Sequence, residues 1–202
     1  MLKLYCFPRS GNSREVKLVL AEKGIAYEKI NIRDAAFDPE SPEFKKASPG
    51  GKVPAIIDRD IYMSEAYHIN EYLEGKYPQS PLLPDSSAER EKIRQWVAVY
   101  DKRVCLKIGL MLIECLLKPK DQQKEEVKVR LMGEILAGLK ELDQALDGKE
   151  YFFGTYGLAD ISMTPHVAAI HRVNIEIPAE LSNLRAWIER VKTRPSFIAS
   201  AE

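Results

Sequence analysis

A proline stands at the mouth of the chain's most strongly β-forming run. In Gly50-Gly51-Lys52-Val53-Pro54-Ala55-Ile56-Ile57-Asp58, two isoleucines follow closely behind Pro54. Such a run reads as a buried strand. Proline has no N–H to give to a sheet ladder, so it is confined to the first residue or the edge of a strand. A tight approach to a strand is also where an X-Pro bond persists in the cis form. A cis Val53-Pro54 bond leaves the N–H and C=O of Val53 facing outward, free to pair with something extended. Arg59-Asp60 then reads as a tight turn and Ile61-Tyr62-Met63 as the returning strand. Ser64-Glu65-Ala66 leads into an amphipathic run from Tyr67 to Tyr77, so Glu65 and Ala66 sit where a helix begins. Backbone N–H groups at such a start can receive a carboxylate.

The remainder of the first 77 residues extends this unit. Leu2-Lys3-Leu4-Tyr5-Cys6-Phe7 reads as a buried strand closed by Pro8. A small polar loop follows, and Val16, Leu18, Val19 and Leu20 fall at helical spacing before Lys23-Gly24 ends the helix. Tyr27 to Ile32 alternates as a second strand, and the proline-punctuated segment from Asp38 to Pro49 holds one short helix around Phe44. The resulting order, βαβαββα, is that of an α/β thioredoxin-like domain with one mixed sheet and helices on both faces.

Pro78, Pro81 and Pro84 make residues 78–85 a stiff, helix-breaking connector. Residues 1–77 form the first domain on this reading, and residues 86–202 an all-α helical bundle. Its helices run from Ser86 or Ser87 to about Leu117, from Gln122 to Leu146, from near Gly157, and from Leu184 to Thr193.

Lysine plus arginine equals aspartate plus glutamate, 30 against 30, which gives no electrostatic case for nucleic acid or anionic membrane partners. Cys6, Cys105 and Cys115 form no metal or redox spacing, and an odd number argues against a disulfide framework. His68, His166 and His171 share no metal spacing with a third ligand, so no metal is expected. The N-terminal run is too short before Pro8 for a signal-peptide core, and no apolar run spans a bilayer. A cytoplasmic location is the expectation.

Lys52-Val53-Pro54, Glu65 and Ile69-Asn70-Glu71-Tyr72-Leu73 resemble the glutathione-binding half of the glutathione S-transferases. The resemblance extends over essentially the whole chain. Tyr156-Gly157-Leu158-Ala159-Asp160-Ile161 is similar to the family's helix-start motif, with Gly157 in the capping position. Asn183-Leu184, Trp187, Arg190 and Arg194-Pro195-Ser196-Phe197 resemble its final-helix signature. Both read as folding determinants.

The resemblance implies a glutathione transferase that conjugates the thiol of glutathione, its co-substrate, to a small hydrophobic electrophile. It also implies a homodimer, with no metal involved. Ser10-Gly11-Asn12-Ser13-Arg14-Glu15-Val16 is similar to the serine-using theta, zeta and delta classes, in which the first serine faces the thiol. Ser10 is therefore the expected catalytic residue. The plain alternative makes it a loop residue, with Ser13 as the helix cap. Asn12 can donate its amide instead, as in some bacterial classes. Cys6 reads as a packed core thiol.

Lys52, Val53, Pro54, Glu65 and Ala66 are the implied glutathione contacts, with Lys52 near the glycyl carboxylate. The family places a serine after the glutamate, whereas this chain has Ala66. Tyr100, Arg103, Val104 and Lys107 are the implied second-substrate wall. A zeta-type isomerase and a non-catalytic member used for protein interaction are the competing readings.

Overall fold

The computed structural model describes residues 1–201. It divides into two compact units, one of Met1–Leu82 with the described residues from Pro195 onward, the other of Leu83–Arg194.

The first unit runs β1 (Leu2–Cys6), α1 (Gly11–Glu22), β2 (Tyr27–Asn31), α2 (Pro42–Ala47), β3 (Ala55–Asp58), β4 (Ile61–Ser64) and α3 (Ala66–Lys76). The sheet order is β2-β1-β3-β4. β1 and β2 are parallel, as a strand pair joined through a crossover helix must be, while β3 pairs antiparallel with both β1 and β4. This is the thioredoxin-like arrangement that the sequence order implies. Strand alternation gives the sheet two buried faces. Tyr5, Ala55 and Ile57 pack with Phe44 and Ala47 of α2 on one face. Leu4 and Ile56, paired across β1 and β3, are fully buried on the other.

A buried polar contact ties α1 to α3: the Asn70 amide donates to Glu15 at 2.7 Å. Behind it, the buried Lys23 ammonium caps the end of α3. It meets Glu74 at 2.5 Å and donates to the carbonyls of Tyr77, Gln79 and Ser80. Glu74 also accepts the Leu82 N–H at 3.0 Å. The start of the proline-rich connector is thus anchored by main-chain contacts rather than by its own side chains.

The sequence reading assigns the chain end to the helical domain, but a short helix, α9 (Pro195–Ala199), lies in the first unit. Arg14 of α1 supplies the reason. Its guanidinium lies 4.1 Å over the Phe197 ring, donates to the Phe197 carbonyl at 3.0 Å and reaches the Ser200 hydroxyl at 3.2 Å. The Ser196 hydroxyl donates to Glu22 at the other end of α1.

The second unit contains α4 (Ser87–Tyr100), α5 (Leu106–Leu112), α6 (Glu125–Ala145), α7 (Leu158–Val167) and α8 (Ser182–Lys192). Ser86 caps α4, accepting the Glu89 N–H. The long helix expected up to Leu117 passes through two wider π turns, Asp101–Cys105 and Ile113–Leu117. At the first of these, α6 comes very close. A Cβ on Gly138 would lie 2.7 Å from the Val104 side chain.

Asp160, fully buried in α7, is the polar centre of this unit. It accepts the Gly157 N–H at 3.1 Å, the Phe152 N–H at 3.3 Å and the Trp187 indole N–H at 2.8 Å. Burial pushes its carboxyl up to about 6 against the pull of these three donors. His166 belongs to α7, whereas His171 lies beyond it in a 3₁₀ turn, Ile170–Val173. No helix among the described residues is long and apolar enough to cross a membrane. No group of three metal-ligating side chains occurs among them.

Candidate functional site

The register of the sheet gathers the glutathione-type residues of the first unit. Tyr5 pairs with Ala55, and Ala55 pairs with Ser64, so these three form one row across β1, β3 and β4. Just past that row lie the loop from β1 to Ser10, the Val53-Pro54 approach to β3, and Glu65-Ala66 after β4. Antiparallel pairing sends all three segments off the same end of the sheet.

Each segment is held by local chemistry. Ser10 itself caps α1, its oxygen accepting the Ser13 N–H at 3.2 Å, while its own N–H returns to the Phe7 carbonyl at 3.0 Å. The buried Ser13 hydroxyl accepts the Phe7 N–H at 3.4 Å instead of capping the helix. A hydroxyl that spends a lone pair on a cap retains its O–H for donation. That bond also polarises the O–H toward a stronger donor. Asn12, one residue inside the helix, is exposed.

The approach to β3 is fixed by a residue that the sequence reading passes over. The buried Ser48 hydroxyl accepts the Lys52 N–H at 2.9 Å and donates to the Lys52 carbonyl at 2.7 Å. Between them Gly51 turns the chain at φ +64°, a conformation that a side chain would strain. A serine four residues before Lys52, with Gly50-Gly51 between them, is the signal available in sequence. Val53-Pro54 is a cis bond, and Val53 packs against the Tyr5–Phe44 cluster. The Lys52 side chain is exposed.

Glu65 has φ +71° and ψ 116°, outside the regions open to a residue with a Cβ. Holding it there costs about 1–3 kcal/mol, and such outliers cluster where a side chain has a task. Its carboxylate does not cap α3. Ala66 behind it is buried and begins the helix, where the first main-chain N–H groups have no acceptor within the helix itself. Burial pushes the Cys6 thiol above its ordinary value, which keeps it a protonated core side chain.

The residues expected to wall a second substrate are placed within the other unit. Val104 is buried against Gly138, and Arg103 and Lys107 turn to α6, pairing with Glu141 at 2.8 Å and Glu134 at 2.6 Å. Tyr100 stacks on Trp96 with ring centroids 4.4 Å apart. The long helix exposes another set that the sequence reading did not select: Leu106, Leu110, Ile113 and Leu117, each at least 40% accessible.

Residues 4–81 match the glutathione S-transferase N-terminal domain family and residues 120–190 its C-terminal domain family. Glutathione S-transferase Z1 of Arabidopsis thaliana is 31% identical over 180 residues, covering 87% of this chain and 80% of the relative. The stringent starvation protein A homolog of Haemophilus influenzae is 30% identical over 92% of this chain and 83% of its own length. Among solved structures, a glutathione transferase from Burkholderia graminis with two glutathione molecules bound per subunit superposes with a TM-score of 0.85. It is 28% identical over 99% of this chain and 87% of that one. With both halves matched and relatives at this identity spanning most of its length, the chain belongs to the glutathione S-transferase superfamily.

Proposed function

We propose that this protein binds glutathione at the end of the sheet where Ser10, Val53 and Glu65 converge, and transfers its thiol to a small hydrophobic electrophile. The convergence set by the Tyr5–Ala55–Ser64 row carries this reading. The glutathione-bound relative from B. graminis supports it.

In this reading Glu65 receives the γ-glutamyl ammonium and the Ala66 N–H its carboxylate. The Val53 main chain pairs with the cysteinyl unit, and Lys52 lies toward the glycyl carboxylate. A free thiol titrates near 8.5, so only a few per cent is thiolate at neutral pH. The Ser10 O–H donates to the sulfur and lowers that value by stabilising the anion, assisted by the positive end of α1. Asn12 is the alternative donor. The thiolate then attacks the electrophile, forming the C–S bond as the leaving group departs or the double bond accepts the electron pair. The working assembly is a homodimer in the cytoplasm, with no metal.

A non-catalytic role is the second reading. Ala66, which lacks the hydroxyl that relatives place beside the glutamate, favours it, as does the 30% identity to a stringent starvation protein A homolog. Steady-state assays with glutathione and an aryl halide, a peroxide, a disulfide and a maleyl-type substrate separate the two. Turnover of at least one that falls in Ser10→Ala supports the transferase. Glutathione binding without turnover of any supports the second reading.

A further inference from the structure

A cavity of about 320 Å³ lies in the second unit, beside α7 and α8 and remote in sequence from the candidate glutathione and second-substrate residues. Its size falls at the lower end of small-molecule sites. Val167, Ile170, Ile175 and Ile188, all buried, supply an apolar lining. The loop that contributes Ile175 is set by Asn174, which turns the chain at φ +57°, and by the Ile175 N–H donating to the Ile170 carbonyl at 3.2 Å. That turn buries Ile175 and leaves Glu176 exposed on the same cavity.

The charges around the cavity are unequally spent. Lys192 and Glu189 close on one another at 2.9 Å. The His171 ring donates Nδ1–H to the Ala168 carbonyl at 2.8 Å, which leaves Nε2 as its free nitrogen. Arg185 and Glu176 are different. They line the same cavity with opposite charge, yet neither side chain pairs with the other or with any other described residue. The guanidinium keeps its donor fork, suited to a carboxylate, and the Glu176 carboxylate keeps all its acceptor sites.

We propose that this cavity binds a small apolar zwitterion, with its carboxylate on Arg185, its ammonium on Glu176 and its hydrocarbon against Ile170, Ile175 and Ile188. A free aliphatic α-amino acid has this chemistry. A simple anion leaves Glu176 unanswered and a simple amine leaves Arg185 so, while either charge alone brings an unpaired like-charge repulsion into the site.

Calorimetric titration of the full chain with L-leucine tests this, alongside 4-methylpentanoate, which has only the carboxylate, and isopentylamine, which has only the ammonium. Leucine should bind, and each half-ligand at least about tenfold more weakly, since a charge-assisted bond lost is of that order. Arg185→Gln and Glu176→Gln should each weaken leucine by a similar factor, with thermal midpoint and glutathione titration unchanged. No heat from leucine at about 10 mM, a concentration that would reveal even a millimolar site, overturns the proposal. So does equal binding of leucine and either half-ligand, or leucine binding that survives Arg185→Gln intact.

Discussion

The Ser48 hydroxyl closes on both main-chain groups of Lys52, one bond in each direction at 2.9 and 2.7 Å. This contact sets the path of the chain into Val53, whose main chain is the proposed clamp on glutathione. Ser48→Ala should lower stability by about 1–2 kcal/mol, the scale of a buried hydrogen bond lost with its partners left behind. It should also weaken glutathione several-fold. Chemical denaturation and calorimetry read the two effects. Lost stability with unchanged affinity would show that Val53 is held without Ser48.

Ser10 has two tasks in one side chain. As the cap of α1 it should cost about 0.5–2 kcal/mol when changed to alanine. As the proposed thiolate donor, its loss should raise the thiol pKa of bound glutathione, visible by ultraviolet titration of the thiolate. Ser10→Ala that is destabilised but leaves that pKa unchanged would transfer the role to Asn12.

What was legible in the sequence was what depends on neighbours along the chain. The β-branched run behind Pro54, the glycine after Lys23 and the Pro78–Pro84 connector each carry local instructions, and the strand and helix order follows from them. What needed three dimensions was hidden for that reason. Ser10 and Ser13 are equally good caps by type, and only the return of the Phe7 main chain assigns them different partners. The pairing of Arg103 and Lys107 with Glu141 and Glu134 joins two helices, and spacing along the chain does not announce it. Arg14 gave no hint that it would capture Phe197 and Ser200 from the far end of the chain. The π turns around Val104 disturb the 3.6-residue period, so the exposed face carrying Leu106 and Leu110 could not be read by counting.

Two glycines on α6 should respond oppositely to the same substitution. Gly133 is exposed with nothing near its missing Cβ, so Gly133→Ala should stabilise by about 0.5–1 kcal/mol through helix propensity. At Gly138 the new Cβ meets the Val104 side chain at 2.7 Å, with the Arg103 carbonyl 3.4 Å away. Overpacking there costs about 1–3 kcal/mol, which outweighs the propensity gain. Thermal melts of the two variants check the signs, and a stabilised Gly138→Ala would mean the helices can separate freely at the π turn.

His166 is buried, with Nδ1 3.4 Å from the Ser162 carbonyl, and burial lowers its pKa from 6.5 to about 4. Below pH 6.5 the unfolded chain takes up a proton that the native ring refuses until about pH 4, so stability from this group is lost as pH falls through that window. Asp160 acts in the opposite sense. Its raised pKa favours the native state as pH falls from about 6 toward 3.8. The two offset in the wild type, and a variant reveals one of them. The stability of His166→Gln relative to wild type should rise by about 3 kcal/mol between pH 7 and pH 4. Parallel urea titrations across that range measure it, and a constant difference would show that the ring protonates freely in the native state.

The central claim is that Glu65 and the Ala66 N–H hold the γ-glutamyl end of glutathione. Calorimetric titration of glutathione into the wild type, Ala66→Ser and Glu65→Ala tests it most directly. The wild type should bind. Ala66→Ser should bind about tenfold tighter, because a hydroxyl bond to a carboxylate contributes about 1.5–3 kcal/mol before water is displaced. Glu65→Ala should give no measurable heat. Affinity in Glu65→Ala equal to that of the wild type, or no binding by any of the three folded proteins, would contradict the claim.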